Sequence, residues 1–200
     1  GELQFEPGTR YAYSNPGYQV LAVIVERVSG MTFGEFIEQN IFVPAGMTTA
    51  VVQDRPEVDV RNRAIGYSPY PLLGWVRNTE HPLTWLVGSA GIYASLDDLW
   101  RWDRALMDHT LVSETSMAEA WSPFVLSDGS ASSYGFGWEL NQARRTVWHT
   151  GGWLGFRNLI AKSLDTGVTV IVLTNAHVAL EKRTAVMDAV MNTWERDSDD

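Results

Sequence analysis

Three short stretches hold the side chains with which this 200-residue chain could do chemistry: Tyr13-Ser14-Asn15, Gly88-Ser89-Ala90-Gly91 and His149-Thr150-Gly151-Gly152. A phenol such as Tyr13 has an ordinary pKa near ~10, and a nearby cation brings it into the range where it takes a proton from a nucleophile and returns one to a leaving group. Asn15 offers both a donor and an acceptor to a substrate amide, and in the same place it can cap a helix. His149 and Thr150 set a titratable ring and a hydroxyl beside two residues without side chains. Backbone N–H groups there can approach a substrate oxygen as half of an oxyanion hole. Such a site suits acyl transfer on a substrate that bears a carboxylate, while the same stretch also fits a glycine-rich turn between strands with an exposed histidine. Trp148 and Trp153 flank it, to wall a pocket or to join a core.

Other chemistries find little footing. Ser89 lacks the glycine two residues before it that a Gly-x-Ser-x-Gly elbow needs, because Val87 stands there, and it reads as a loop residue. The chain has no cysteine, which removes disulfides, thiolate nucleophiles and sulfur-ligated zinc. His81, His109, His149 and His177 lie singly with no pair at metal-binding spacing, and no two carboxylates stand out as a glycosidase pair. Neither metal nor cofactor is expected. With 24 Asp plus Glu against 15 Lys plus Arg, the formal charge is -9, which repels phosphate backbones and anionic lipid, so nucleic acid is not an expected partner. The longest apolar run, Val20 to Val25, is too short for a membrane span.

These residues need elements to position them. Hydrophobic residues at 45% and charged residues at 20% are ordinary globular usage, and 9 Trp, 7 Tyr and 7 Phe supply aromatic surface to bury. Ser14-Asn15-Pro16 reads as a helix start with Asn15 as the cap, followed by Leu21, Ile24, Val25 and Val28 at helical spacing up to a stop at Gly30. Thr32 with Glu35 makes a capping box for a second short helix bearing Phe33, Phe36 and Ile37, ended by Pro44 and Gly46. Four prolines between Pro56 and Pro82 predict long irregular loops. Ser95 with Asp98 caps a third helix with Leu96, Leu99, Trp100, Leu106 and Met107 as its buried stripe, and Glu114 to Trp121 forms a shorter one. Strands are expected over Tyr134–Leu140, Thr146–His149, Phe156–Ser163 and Val168–Leu173, the last two joined by the turn Leu164-Asp165-Thr166-Gly167. A closing helix over Val178–Trp194 bears Val186, Ala189 and Val190. The fold class is α+β, an antiparallel sheet flanked by helices beside a mostly helical region.

Taken together, the motifs resemble the C-terminal two-thirds of a serine β-lactamase-like hydrolase, of the penicillin-recognising superfamily that includes class C β-lactamases, DD-peptidases and esterases. Tyr13-Ser14-Asn15 resembles the second family motif, Tyr-x-Asn, and His149-Thr150-Gly151 the third, Lys-Thr-Gly or His-Thr-Gly. Ile41 to Met47 resembles the Phe-x-Pro-Leu-Gly-Met turn, Ala90-Gly91-Ile92-Tyr93 through Leu99 the glycine loop and helix, and Tyr134-Gly135-Phe136-Gly137-Trp138 also fits. The first motif, Ser-x-x-Lys with the acylated serine, is not in the sequence: Leu159 and Ala179 stand three residues before Lys162 and Lys182. Gly1-Glu2-Leu3-Gln4 carries neither a signal core nor a natural start, so the expectation is a fragment or processed chain that lacks the N-terminal part of the fold.

The resemblance implies a serine hydrolase acting through an acyl-enzyme on an amide or ester, with this chain inactive alone for lack of the nucleophile. Tyr13 is then the general base and acid, Asn15 holds the substrate amide, and His149 with Thr150 binds the carboxylate or supports proton relay. Gly151, Gly152 and Trp153 line the substrate, the Gly152 amide completing the oxyanion hole. A histidine in the third motif resembles DD-peptidases and some esterases more than efficient β-lactamases. The implied partners are a small-molecule or peptide substrate and the missing N-terminal segment, and the implied location is extracytoplasmic. One partial domain is expected over residues 1–200: helices and loops over 1–133, antiparallel strands and the C-terminal helix over 134–196, and an acidic tail over 197–200. The alternative is a non-catalytic module of the same fold that binds a peptide or glycan through Tyr67–Trp85 and the walls at Trp148 and Trp153.

Overall fold

The computed structural model describes residues 2–81 and 83–197, so Pro82 and residues 198–200 of the expected tail lie outside the described residues. Helix α1, Asn15–Ser29, starts where the sequence signals it and ends at Gly30 in the left-handed conformation (φ 72°). Its N-cap is Ser14, not Asn15: the Ser14 hydroxyl accepts from the Gly17 amide at 3.0 Å. A serine oxygen one bond from Cβ reaches that amide, which releases Asn15 for other work.

The Thr32–Glu35 capping box forms and opens α2, Phe33–Ile37. The helical path does not stop at Pro44. It runs on through a π-helical turn, Glu38–Phe42, into α3, Val43–Ala45, before Gly46 ends it. Proline sits in the first turn of α3, where its missing N–H costs little. Phe42, Met47 and Val52 form the core here, with Phe33, Ile37, Val87 and Trp102 packed around them.

Strand β1 (Val51–Val52) pairs antiparallel with β4 (Ile92–Tyr93). The proline-rich stretch expected to be irregular contains a hairpin, β2 (Tyr67–Tyr70) with β3 (Gly74–Arg77). Pro69 is tolerated because the ribbon has only two strands and both are edges. Helix α4, Leu96–Met107, has the expected capping box, with Ser95 and Asp98 each accepting from the other's backbone. Its predicted stripe is met in part: Leu106 is buried and Leu99 and Met107 are half-buried, but Leu96 and Trp100 are more than half exposed, and Asp98, Asp103 and Ala105 are buried as well. Helix α5, Glu114–Ala120, follows, capped by Ser113.

The main sheet is antiparallel in the order β5-β6-β7-β8. Its members are β5 (Glu139–Asn141), β6 (Thr146–Trp153), β7 (Phe156–Ser163) and β8 (Thr169–Val172). The stretch Tyr134–Trp138, expected as strand, is instead a tight turn, with Gly135 N–H donating to the Trp138 carbonyl and Tyr134 bridged to Glu139. Gly135 leaves no room for a side chain, since a Cβ there would lie 2.1 Å from the Ala120 carbonyl oxygen at the end of α5. Gly155 is equally cramped: a Cβ would stand 2.2 Å from the Tyr67 backbone nitrogen, where the β2–β3 hairpin meets the β6–β7 turn.

Helix α6, Leu180–Asp197, packs on the sheet through Met187 and Met191, against Leu159, Ala161, Val170 and Trp148. The face expected to be buried is the outer one: Val186 and Val190 are 49% and 44% exposed. Helix α1 behaves likewise, burying Ala22 while Leu21, Ile24 and Val28 stay exposed. A buried ion pair ties the main sheet to α4. Lys162 on β7 donates to Asp103 on α4 at 3.0 Å and to the Thr169 hydroxyl on β8 at 2.8 Å. No described helix is long and apolar enough to cross a membrane.

Candidate active site

The third chemical stretch lies within a strand, not in a turn. Residues His149–Gly152 belong to β6, and the chain reverses after Trp153. Only Thr146–Trp148 of that strand pair with β5, so from His149 onward β6 has β7 on one side and a cavity on the other. Successive side chains alternate between the two faces of the sheet. Thr150 and Gly152 share the face of Leu159 and Arg157, and His149 shares that of Ile160.

The cavity measures about 320 Å³ and is lined by Tyr13, Glu139, His149, Thr150 and Gly152. Residues far apart in the chain thus converge, from the segment leading into α1, the start of β5 and the outer half of β6. Tyr13 is half exposed, and its hydroxyl donates to Asn15 Oδ1 at 3.1 Å. Asn15 therefore keeps its two N–H donors out of that bond, with the capping done by Ser14. Gly151 adjoins the lining through the strand. Trp153 does not join it and packs edge-on against His81, ring centroids 5.5 Å apart. Trp148 is turned to the core beside α6. Ser89 is a loop residue, its hydroxyl accepting from Gln19 at 3.1 Å.

Two further residues were not singled out from the sequence. Glu139 puts a carboxylate on the cavity wall. Tyr134 sits behind His149: its hydroxyl lies 2.9 Å from Nε2, and its ring stacks on Tyr11 (5.4 Å) and meets Tyr13 edge-on (6.0 Å). Burial pushes the Tyr134 phenol up from its ordinary value, with Tyr18, Tyr13 and Tyr11 adding to the shift, so it stays protonated. Tyr11 is raised as well, by burial first and then by Glu139. The signal for Tyr134 was present in Tyr134-Gly135-Phe136-Gly137-Trp138, but its aim at His149 depends on the turn. Spacing alone could not have found Glu139, because its place on the wall follows from where β5 begins.

His149 itself is held at both ring nitrogens, Nδ1 standing 2.7 Å from the Thr150 carbonyl oxygen. Its ring lies 6.1 Å from that of Tyr13, tilted by 30°. Among the described residues no group of three or more His, Asp or Glu could hold a metal ion. Chemically, the wall offers a phenol, a carboxylate, an imidazole, a hydroxyl and a strand edge at Gly152, with the Asn15 carboxamide bonded to the phenol. Packing does not demand those glycines, since a Cβ at Gly151 or Gly152 would meet neighbours only at ordinary contact distances of 3.8 and 3.5 Å.

The family model described as Beta-lactamase matches residues 1–191. Penicillin-binding protein 4* of Bacillus subtilis (strain 168) is 35% identical over 199 residues, covering 92% of this chain and 44% of that protein. A D-aminopeptidase of Brucella canis is 32% identical over 174 residues, covering 86% of this chain and 33% of that protein. The chain thus spans less than half the length of these curated relatives. Among solved structures, D-amino acid amidase from Ochrobactrum anthropi SV3 complexed with L-phenylalanine superposes with a TM-score of 0.82 at 20% identity, over 98% of this chain and 62% of that one, a likeness of fold. With its α+β architecture and a family match over nearly its whole length, the chain belongs to the beta-lactamase family.

Proposed function

We propose that this chain forms one wall of an acyl-transfer site in a serine hydrolase that works through an acyl-enzyme, its nucleophile supplied by a Ser-x-x-Lys segment outside these 200 residues. The observation that carries this is the convergence of Tyr13, His149, Thr150 and Gly152 on a single cavity. Tyr13 is the general base and acid, since its hydroxyl faces the cavity with Asn15 as its hydrogen-bond partner. Asn15 holds the substrate amide through its free N–H donors. The Gly152 amide contributes to the oxyanion hole, and the absence of any packing need for glycine supports a strand edge kept bare for a ligand.

The substrate is an amide or ester. The names of the relatives, a penicillin-binding protein and a D-aminopeptidase, favour amides of D-amino acids or D-residue peptides over β-lactams. Thr150 is the residue that contacts the polar end of such a substrate, His149 being engaged at both nitrogens.

Turnover of a D-amino acid nitroanilide, a nitrophenyl ester and a chromogenic cephalosporin tests the proposal. Residues 1–200 alone should be inactive or nearly so. In a protein that unites them with the Ser-x-x-Lys segment, Tyr13→Phe should lower kcat/KM by roughly 10²–10⁴-fold. Robust activity of residues 1–200, abolished by changing one of their own serines, overturns the proposal.

A further inference from the structure

We propose that Tyr134 is a positioning residue that holds His149 as the neutral imidazole protonated on Nδ1, with Nε2 locked as an acceptor. A carbonyl oxygen only accepts, so Nδ1, at 2.7 Å from the Thr150 oxygen, must carry a proton. A neutral ring then has a bare Nε2, and the Tyr134 hydroxyl at 2.9 Å is the donor that fills it. Tyr134 is 8% exposed, and a buried hydroxyl proton needs an acceptor within reach: Nε2 stands at 2.9 Å, and the Tyr18 hydroxyl is the other hydrogen-bonding neighbour. The Tyr134 ring is itself fixed: Tyr11 stacks on one side, and the turn that carries it is clamped to α5 by the Gly135 fit against Ala120.

The groups facing the imidazole are Tyr13 from the segment before α1, Tyr134 from the turn before β5 and Glu139 from β5, with Tyr18 of α1 hydrogen-bonded to Tyr134. Of these, only Glu139 brings a carboxylate. The Tyr134 donor works against an imidazolium, which has no lone pair at Nε2 and would send the phenol proton to the Tyr18 hydroxyl instead. Tyr134 thereby decides that the third-motif side chain presents no cation to the cavity and passes no proton at Nε2. The carbonyl bond at Nδ1 also ties the ring to the strand edge next to the proposed oxyanion amide. Only this last, functional meaning rests on the acyl-transfer proposal; the tautomer does not.

Long-range ¹H–¹⁵N correlation spectra of the ¹⁵N-labelled chain read the tautomer directly, with the His149 ring assigned by loss of its signals in His149→Gln. In the parent chain the expected pattern is a protonated Nδ1 and a bare Nε2. In Tyr134→Phe, loss of one hydrogen bond should shift the tautomer ratio roughly fivefold or more toward Nε2–H, while Tyr11→Phe, which keeps the Tyr134 hydroxyl, leaves it unchanged. A protonated Nε2 in the parent chain at neutral pH overturns the inference, even if Tyr134→Phe fails to fold; so does an unchanged ratio in a folded Tyr134→Phe. A shifted ratio with unaltered kcat/KM in the united protein would leave the tautomer standing and count against the site proposal alone.

Discussion

Removing the carboxylate of Asp103 should be among the most damaging single changes in this chain. The Lys162 side chain is 3% exposed and that of Asp103 11%, so the pair is cut off from water. In Asp103→Ala the ammonium keeps only the Gly167 carbonyl at 3.3 Å and the Thr169 hydroxyl at 2.8 Å, two neutral acceptors for a buried charge. Stranding one member of a buried pair costs about 3–5 kcal/mol. At about 2–4 °C per kcal/mol for a domain of this size, Tm should fall by roughly 6–20 °C. Replacing both partners by apolar residues, Asp103→Leu with Lys162→Met, removes the stranded charge and should recover most of the loss. Urea unfolding followed by tryptophan fluorescence, run as a double-mutant cycle, measures the coupling. The reasoning fails if Asp103→Ala costs less than about 1 kcal/mol, or if the double variant loses the sum of the two single losses. The damage should also reach the site, because α4 carries Trp102, which stacks on Trp138 at 6.1 Å and so braces the turn that presents Tyr134.

Asp98 is 1% exposed; burial alone would raise its carboxyl, but hydrogen bonds from Thr49 and Ser95 outweigh it and hold the value below the ordinary carboxylate range. Its stabilisation is therefore present above the unfolded pKa of about 4 and lost as pH falls through the lower folded one. Asp98→Asn should cost roughly 1–3 kcal/mol at pH 7, with the gap to the parent closing below about pH 4 in urea titrations at a series of pH values. Gly135→Ala drives a methyl group into the Ala120 carbonyl oxygen and should cost about 1–3 kcal/mol in thermal unfolding while disturbing the His149 ring signals. Gly152→Ala should leave Tm within a few degrees, since its Cβ has room, yet lower turnover in the united protein at least tenfold if the strand edge receives the substrate oxygen.

What could be read from the sequence was whatever local chemistry decides. The boxes at Thr32–Glu35 and Ser95–Asp98 close within one turn of chain, and both formed as written. Strand β7 spans the residues its pattern marked, Phe156–Ser163. Facing was less legible. A helical period shows that a stripe exists and not what it meets, so Leu21 and Ile24 on α1, Leu96 and Trp100 on α4, and Val186 and Val190 on α6 turned out exposed, while Leu106 of the α4 stripe is buried. Tyr134–Trp138 carries a strand-like alternation, but the approach of Gly135 to α5 and the left-handed Gly137 (φ 80°) bend it into a turn. Of the site, the family motifs brought out Tyr13, Asn15 and His149, whereas Glu139 and Tyr134 take their places only through pairing and packing between distant segments.

Helix α1 begins two residues beyond Tyr13, and its first turn contains no acidic side chain. The aligned peptide dipoles of fifteen residues therefore end in a partial positive charge that no carboxylate of that turn neutralises. Any oxygen that gains negative charge within reach of Asn15 is favoured by about 0.3–1 kcal/mol, and more where water is excluded. The backbone thus supplies, beside the phenol, a fixed electropositive end that needs no lysine and does not titrate.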